Sequence, residues 1–173
     1  MTTVALPDPA LVLLVGAAGS GKSTLAARLF APDEILSSDA FRFAIAGDAA
    51  DQRATGASFG ALGRALERRL AAGRLTVIDA TNVRAADRRP WLATARRHGL
   101  PIAAIVLDLP EATVRAQNAS RQRVVDDDVI DRHLAAIRRT LDRDELRREG
   151  VAPVVVLRTT GAARTLAIAR IRA

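Results

Sequence analysis

Leu11-Val12-Leu13-Leu14-Val15-Gly16-Ala17-Ala18-Gly19-Ser20-Gly21-Lys22-Ser23-Thr24 is the stretch that decides the fold. Its first five residues are wholly apolar, as a strand buried on both faces of a sheet requires. Residues 16–23 then match G-x-x-x-x-G-K-[ST], and a helical pattern opens at Lys22. A strand before and a helix after are the context in which this motif binds phosphate. Each residue type has a physical task. Glycines let the backbone close on an anion and turn its N–H groups inward. The helix N-terminus adds a partial positive charge. Lys22 reaches the outer phosphates, and the Ser23 hydroxyl is a magnesium ligand. Gly16, Ala17, Ala18, Gly19, Ser20, Gly21, Lys22, Ser23 and Thr24 are therefore the expected polyphosphate contacts.

Composition singles out one of these residues. The chain of 173 residues has 26 Lys and Arg together, and only Lys22 is lysine, so arginine fills the other 25 (26 − 1). A planar fork is accepted everywhere except at the one position that needs a compact ammonium. The formal net charge is +7 and the sequence pI about 11.4. Such a surface attracts polyanions. An Ala- and Arg-rich composition bias accounts for it equally well. No cysteine is present, which excludes disulfides and thiolate metal sites and fits a reducing compartment. With no basic-then-apolar leader and no apolar run long enough to span a bilayer, the sequence reads as soluble and cytoplasmic.

Outward from the loop, short apolar runs alternate with helical patterns. Strands are expected at Leu11–Val15, Ile35–Ser37, Leu75–Asp79, Ile102–Leu107 and Val154–Leu157. Helices are expected at Lys22–Phe30, from near Asp39, at Phe59–Ala72, Ala85–His98, from Pro110, over Val129–Glu149 and from about Ala162. This alternation implies one α/β domain over residues 1–173, a parallel sheet covered by helices on both faces. The paired arginines, Arg88-Arg89 among them, read mostly as solvated helix faces.

Two acidic positions join the loop. Asp79 ends a strand, on the side of such sheets where ligands sit, and is expected to hold magnesium directly or through water. The alternative is a turn cap over Ala80-Thr81-Asn82. Asp39 follows a short strand, with Arg42 one helical turn later on the same face. A carboxylate beside an attacking hydroxyl and an arginine beside a phosphate would serve phosphoryl transfer to an alcohol. A helix N-cap with a surface ion pair explains the spacing equally well.

Ser38-Asp39-x-x-Arg42 joined to this loop resembles the P-loop 5′-OH polynucleotide kinases. Asp51-Gln52-x-Ala54-Thr55, Leu75–Val83 and Leu109-Pro110-Glu111 extend the resemblance to the kinase module of bacterial polynucleotide kinase-phosphatase. The resemblance implies a P-loop NTPase/kinase fold with a five-stranded parallel sheet in the order 2-3-1-4-5. It implies ATP and Mg2+, Lys22 on the phosphates, Ser23 and Asp79 at the metal, and Asp39 as general base on a nucleic-acid 5′-OH end. Arg42 would grip the neighbouring 3′-phosphate. A helical lid is expected at residues 117–131. There the family pattern places Arg before Asn, and this chain has Gln117-Asn118, so Arg121 and Arg123, together with Arg115, are the lid candidates. Family members also carry phosphatase and ligase-like modules, which 173 residues do not accommodate, so the chain reads as a stand-alone kinase or an excised domain with end-repair partners.

Two other readings compete: a kinase of small-molecule hydroxyls (a sugar, nucleoside, antibiotic or nucleotide sugar), or a non-catalytic ATP-binding module. Asp51 and Gln52 are further acceptor-side candidates. His98 and His133 lack partners at metal-ligand spacing and read as structural. Phe41 and Phe43 are candidates to flank a terminal base, but the better reading assigns them to the core.

Overall fold

The computed structural model describes residues 2–46 and 55–172; Asp51 and Gln52 lie outside them. In chain order the elements are β1 (Thr2–Asp8), β2 (Leu11–Gly16), α1 (Lys22–Leu29), a 3-10 turn (Pro32–Glu34), β3 (Ile35–Ser37), α2 (Ser38–Ala46), α3 (Thr55–Ala71), β4 (Thr76–Asp79), α4 (Ala85–Arg97), β5 (Ile102–Leu107), α5 (Glu111–Ala119), α6 (Asp127–Asp142), α7 (Glu145–Arg148), β6 (Val154–Leu157), α8 (Thr160–Thr165) and β7 (Leu166–Arg172).

The main sheet runs β3-β4-β2-β5-β6, and every pairing in it is parallel. Numbering only its own strands, this is the expected 2-3-1-4-5 order, with helices on both faces. All six residues of β2 and all six of β5 are buried, which explains their unbroken apolar character. Register sets Leu14 beside Asp79 and Gly16 beside Leu107. The loop after β2 and the acid ending β4 therefore emerge together at the carboxyl end of the sheet.

Three expectations need correction. The C-terminal helix stops at Thr165, and β7 follows, pairing in parallel with β1 from Thr2↔Leu166 to Asp8↔Arg172. Leu166–Arg172 follows directly on a helical pattern, but its long-range pairing with β1 makes it a strand. Arg170 fastens the pair, reaching Asp8 at 3.3 Å and both Glu34 oxygens at 2.6 and 2.8 Å.

The long helix over Val129–Glu149 is two helices. Asp144 adopts φ 50° between α6 and α7, so the chain turns and aims Glu145 and Glu149 inward.

Their target, Arg88, lies on no solvated face. It is 0% exposed and is held by both oxygens of Glu149 at 2.7 Å, by Glu145 at 3.3 Å and by the Asn82 carbonyl at 3.0 Å. A buried guanidinium with this full set of acceptors ties α4, the loop after β4 and α7 together.

Candidate active site

The phosphate loop has its shape built in before any ligand arrives. Gly19 and Gly21 adopt φ 80° and 88°, where side chains other than glycine are strained. A Cβ on Gly19 would stand 3.1 Å from Asn118 Cβ, and one on Gly16 only 2.6 Å from Ser20 Oγ. The next loop pins this one in place. Gly16 N–H donates to Thr81 O at 3.0 Å, and Asn82 Nδ2 donates to Leu14 O at 2.8 Å. Asn82 is buried with φ 49°, so its side chain serves as a strut between β4 and β2.

Lys22 is buried, and its ammonium donates to Gly16 O at 2.9 Å and Ala17 O at 2.7 Å. Burial drives its pKa down to about 8, while the Asp79 and Asp39 carboxylates oppose and Arg121 adds to the fall. These charges meet around one ammonium because all four line a single cavity of about 960 Å³. Ala18 through Thr24 line it, whereas Gly16 and Ala17 are buried and do not. Among the described residues Ser20 Oγ is buried with no protein partner, a spare hydroxyl beneath the loop.

The donor set for a cation is made of hard oxygens. Asp79 is 6% exposed at the end of β4, and Ser23 is exposed on the first turn of α1; both line the cavity. A hydroxyl and a carboxylate beside a polyphosphate fit Mg2+, which takes few protein ligands and keeps phosphate oxygens and water.

Strands β3 and β6 are the two edges of the sheet, so the residues they deliver stand on opposite sides of the loop. On the β3 side are Asp39 and Arg42, paired at 2.9 Å and both facing the cavity. Asp39 is 57% exposed and Arg42 16%. Helix α2 is capped by Ser37 Oγ, which accepts Ala40 N–H at 3.4 Å, so Asp39 is not the cap. On the β6 side are Thr160, Ala163 and Arg164 of α8, with Arg28 bonding to the carbonyls of Ala163 and Leu166.

The segment expected as a lid spans the end of α5, a loop and the start of α6. Asn118 organises it, donating to Val125 O at 2.7 Å and accepting Val125 N–H at 3.1 Å while packing on Gly19. Arg121 and Arg123 are exposed and line the cavity. Arg115 does not: its guanidinium bonds Glu111 at 2.8 Å, Asp127 at 2.8 Å and Asp131 at 2.5 Å, joining α5 to α6. Asp128 pairs with Arg132 at 2.6 Å, so two of the three acids at 126–128 are taken up within the helices.

The sequence reading missed two participants. His133 Nδ1 accepts the N–H of Ala18 at 3.3 Å, putting this ring against the phosphate loop. Its signal in the sequence is its place on the inward stripe of α6, three residues after Ile130 and four before Ile137. Arg84 also lines the cavity, carried there by the loop that Asn82 anchors. Phe43 is 61% exposed, against the core assignment, whereas Phe41 packs on the core.

Residues 11–143 match the AAA_33 family, described as an AAA domain. The chain belongs to that family. Comparison with curated proteins finds no match. The fold recurs in a chain of the Pnkp1/Rnl/Hen1 RNA repair complex, at 23% identity and TM-score 0.69, over 80% of this chain and 47% of that one. In a second structure of that complex the values are 27%, 0.55, 70% and 41%. A gluconokinase from Sinorhizobium meliloti 1021 matches at 15% identity and TM-score 0.57, over 90% of this chain and 85% of its own. The AAA_33 chain thus spans about half the length of the repair-complex chain it matches. It has the P-loop kinase fold. Among its described residues, no helix is long and apolar enough to cross a membrane.

Proposed function

We propose that this protein is an ATP- and magnesium-dependent polynucleotide 5′-hydroxyl kinase. The observation that carries the reading is the placement of Asp39 and Arg42, side by side at 2.9 Å, in the same cavity as Lys22 and on the sheet edge away from α8. The phosphate chain of ATP lies in the loop, with Lys22 released from Gly16 O and Ala17 O to bind it. Ser23 and Asp79 would hold magnesium, which would supply charge neutralisation on the phosphate oxygens. The acceptor hydroxyl enters beside Asp39, which takes its proton. The hydroxyl oxygen bonds the γ-phosphorus as the bond to the bridging oxygen breaks, and ADP leaves. Arg42 holds the phosphate on the acceptor's own 3′ side, and Arg121 and Arg123 face the transferring group from the lid.

Among the described residues, seven cationic side chains line the cavity against three carboxylates, Asp39, Asp79 and Asp126. That balance suits two polyanions meeting in one site. The sugar-kinase likeness supports a second reading, transfer to a small hydroxyl compound, which shares Asp39 but has no use for Arg42 as a phosphate grip. Incubation with γ-labelled ATP, magnesium and a 5′-OH oligonucleotide decides between them. The proposal expects label on the oligonucleotide and a fall of about 100-fold or more in Asp39→Ala. Label that appears only on sugars or sugar acids would refute it.

A further inference from the structure

The chain has two histidines, neither used in the chemistry above, and one of them faces the phosphate loop. His133 is half-buried on α6, on the inward stripe with Ile130 and Ile137, and it lines the cavity. Its Nδ1 accepts the Ala18 N–H at 3.3 Å, so that nitrogen carries no proton in the free protein. A loop N–H turned toward a ring nitrogen is turned away from an anion.

The surroundings explain the neutral ring. Burial comes first, and then the cations facing it: Lys22 on α1, Arg84 ahead of α4, and Arg132 on its own helix. Asp87 on α4 opposes them. Together they hold the imidazole below its ordinary pKa. A polyphosphate in the loop would reverse this balance by setting several negative charges against the same ring.

We propose that His133 is a polyphosphate-binding residue that gains a proton as the nucleotide enters: Nδ1 gives up the Ala18 N–H to a phosphate oxygen, and the imidazolium donates to the phosphate chain beside Lys22. The proton comes from solvent, and the only bond formed covalently is N–H. His133 thereby couples release of the Ala18 N–H to arrival of the anion, and it adds a positive charge only when there is an anion to meet it. This inference rests on the nucleotide reading of the loop.

Nitrogen-15 imidazole spectra of the whole protein, recorded across pH with and without MgATP, test it. His98 is the reference signal; it bonds Glu67 at 2.7 Å and does not line the cavity. Assignment comes from His98→Gln and His133→Gln. The His133 titration should move up by about one pH unit or more with MgATP, while His98 stays in place. Calorimetry in two buffers of different ionisation enthalpy should show that the parent takes up more protons on binding MgATP than His133→Gln, by about half a proton near neutral pH. MgATP binding with an unmoved His133 titration, or with equal proton uptake, would overturn this inference and leave the nucleotide reading standing. Failure of the parent to bind MgATP would overturn both.

Discussion

Arg88→Ala should be the most damaging single substitution outside the cavity, and its cost follows from the geometry. The side chain is 0% exposed, while Glu145 and Glu149 keep 25% and 20% of theirs. Removing one partner of a buried ion pair costs about 3–5 kcal/mol. The partly exposed carboxylates recover some hydration, so the lower end applies, about 3 kcal/mol. At this chain length that corresponds to a fall in Tm of about 6–12 °C. Arg88→Lys keeps the charge but cannot span Glu149 and the Asn82 carbonyl together, and about 2 kcal/mol should still be lost. Urea unfolding followed by far-UV circular dichroism measures both. The damage should reach the nucleotide. Arg88 holds Asn82 O, Asn82 holds Leu14 O, and Thr81 O holds the Gly16 N–H. At temperatures where Arg88→Ala is folded, its ATP affinity should fall about threefold or more. A stability loss below about 1 kcal/mol, with affinity unchanged, would show that Arg88 does not hold the phosphate loop in place.

Further predictions follow from the loop and the lid. Lys22 has a folded-state pKa of about 8 against an ordinary 10.5, so between those values the unfolded chain holds more protons and stability should climb as pH rises. The gain, about 3 kcal/mol at most, should be absent in Lys22→Met when the two are unfolded with urea across that range. Gly19→Ala places a Cβ 3.1 Å from Asn118 Cβ at φ 80°, and equilibrium dialysis should show ATP affinity reduced about tenfold or more. Arg121→Ala should slow phosphoryl transfer by about 100-fold, whereas Arg115→Ala, outside the cavity, should slow it by less than about threefold in the same assay.

The sequence carried the sheet and the loop because both are local. An apolar run such as Leu11–Val15 has few alternatives, and the glycines and lysine after it are required one by one by the backbone path and the charge. What it hid depends on distant parts of the chain. Strand β7 follows a helical pattern without a break and is made a strand by its register with β1, at the opposite end of the sequence. Arg88 looked like half of a solvated arginine pair until Glu145 and Glu149, on the far side of a break at Asp144, closed over it. His133 had no motif around it, since its partner is a backbone N–H in a loop 115 residues away. Arg115 was separable from Arg121 and Arg123 only once α6 had brought Asp127 and Asp131 to it. Spacing placed Asp39 and Arg42 on one face, but only the fold put that face on the phosphate cavity.

In the proposed reaction, one edge of this cavity receives an alcohol carrying its own phosphate. Steady-state kcat/KM for a nucleoside 3′-phosphate against the same nucleoside without it, in the parent and in Arg42→Ala, addresses that directly. A preference of about 100-fold for the phosphorylated acceptor is expected in the parent, with most of it gone in Arg42→Ala. Equal use of the two acceptors by the parent, or a preference that survives loss of Arg42, would contradict it.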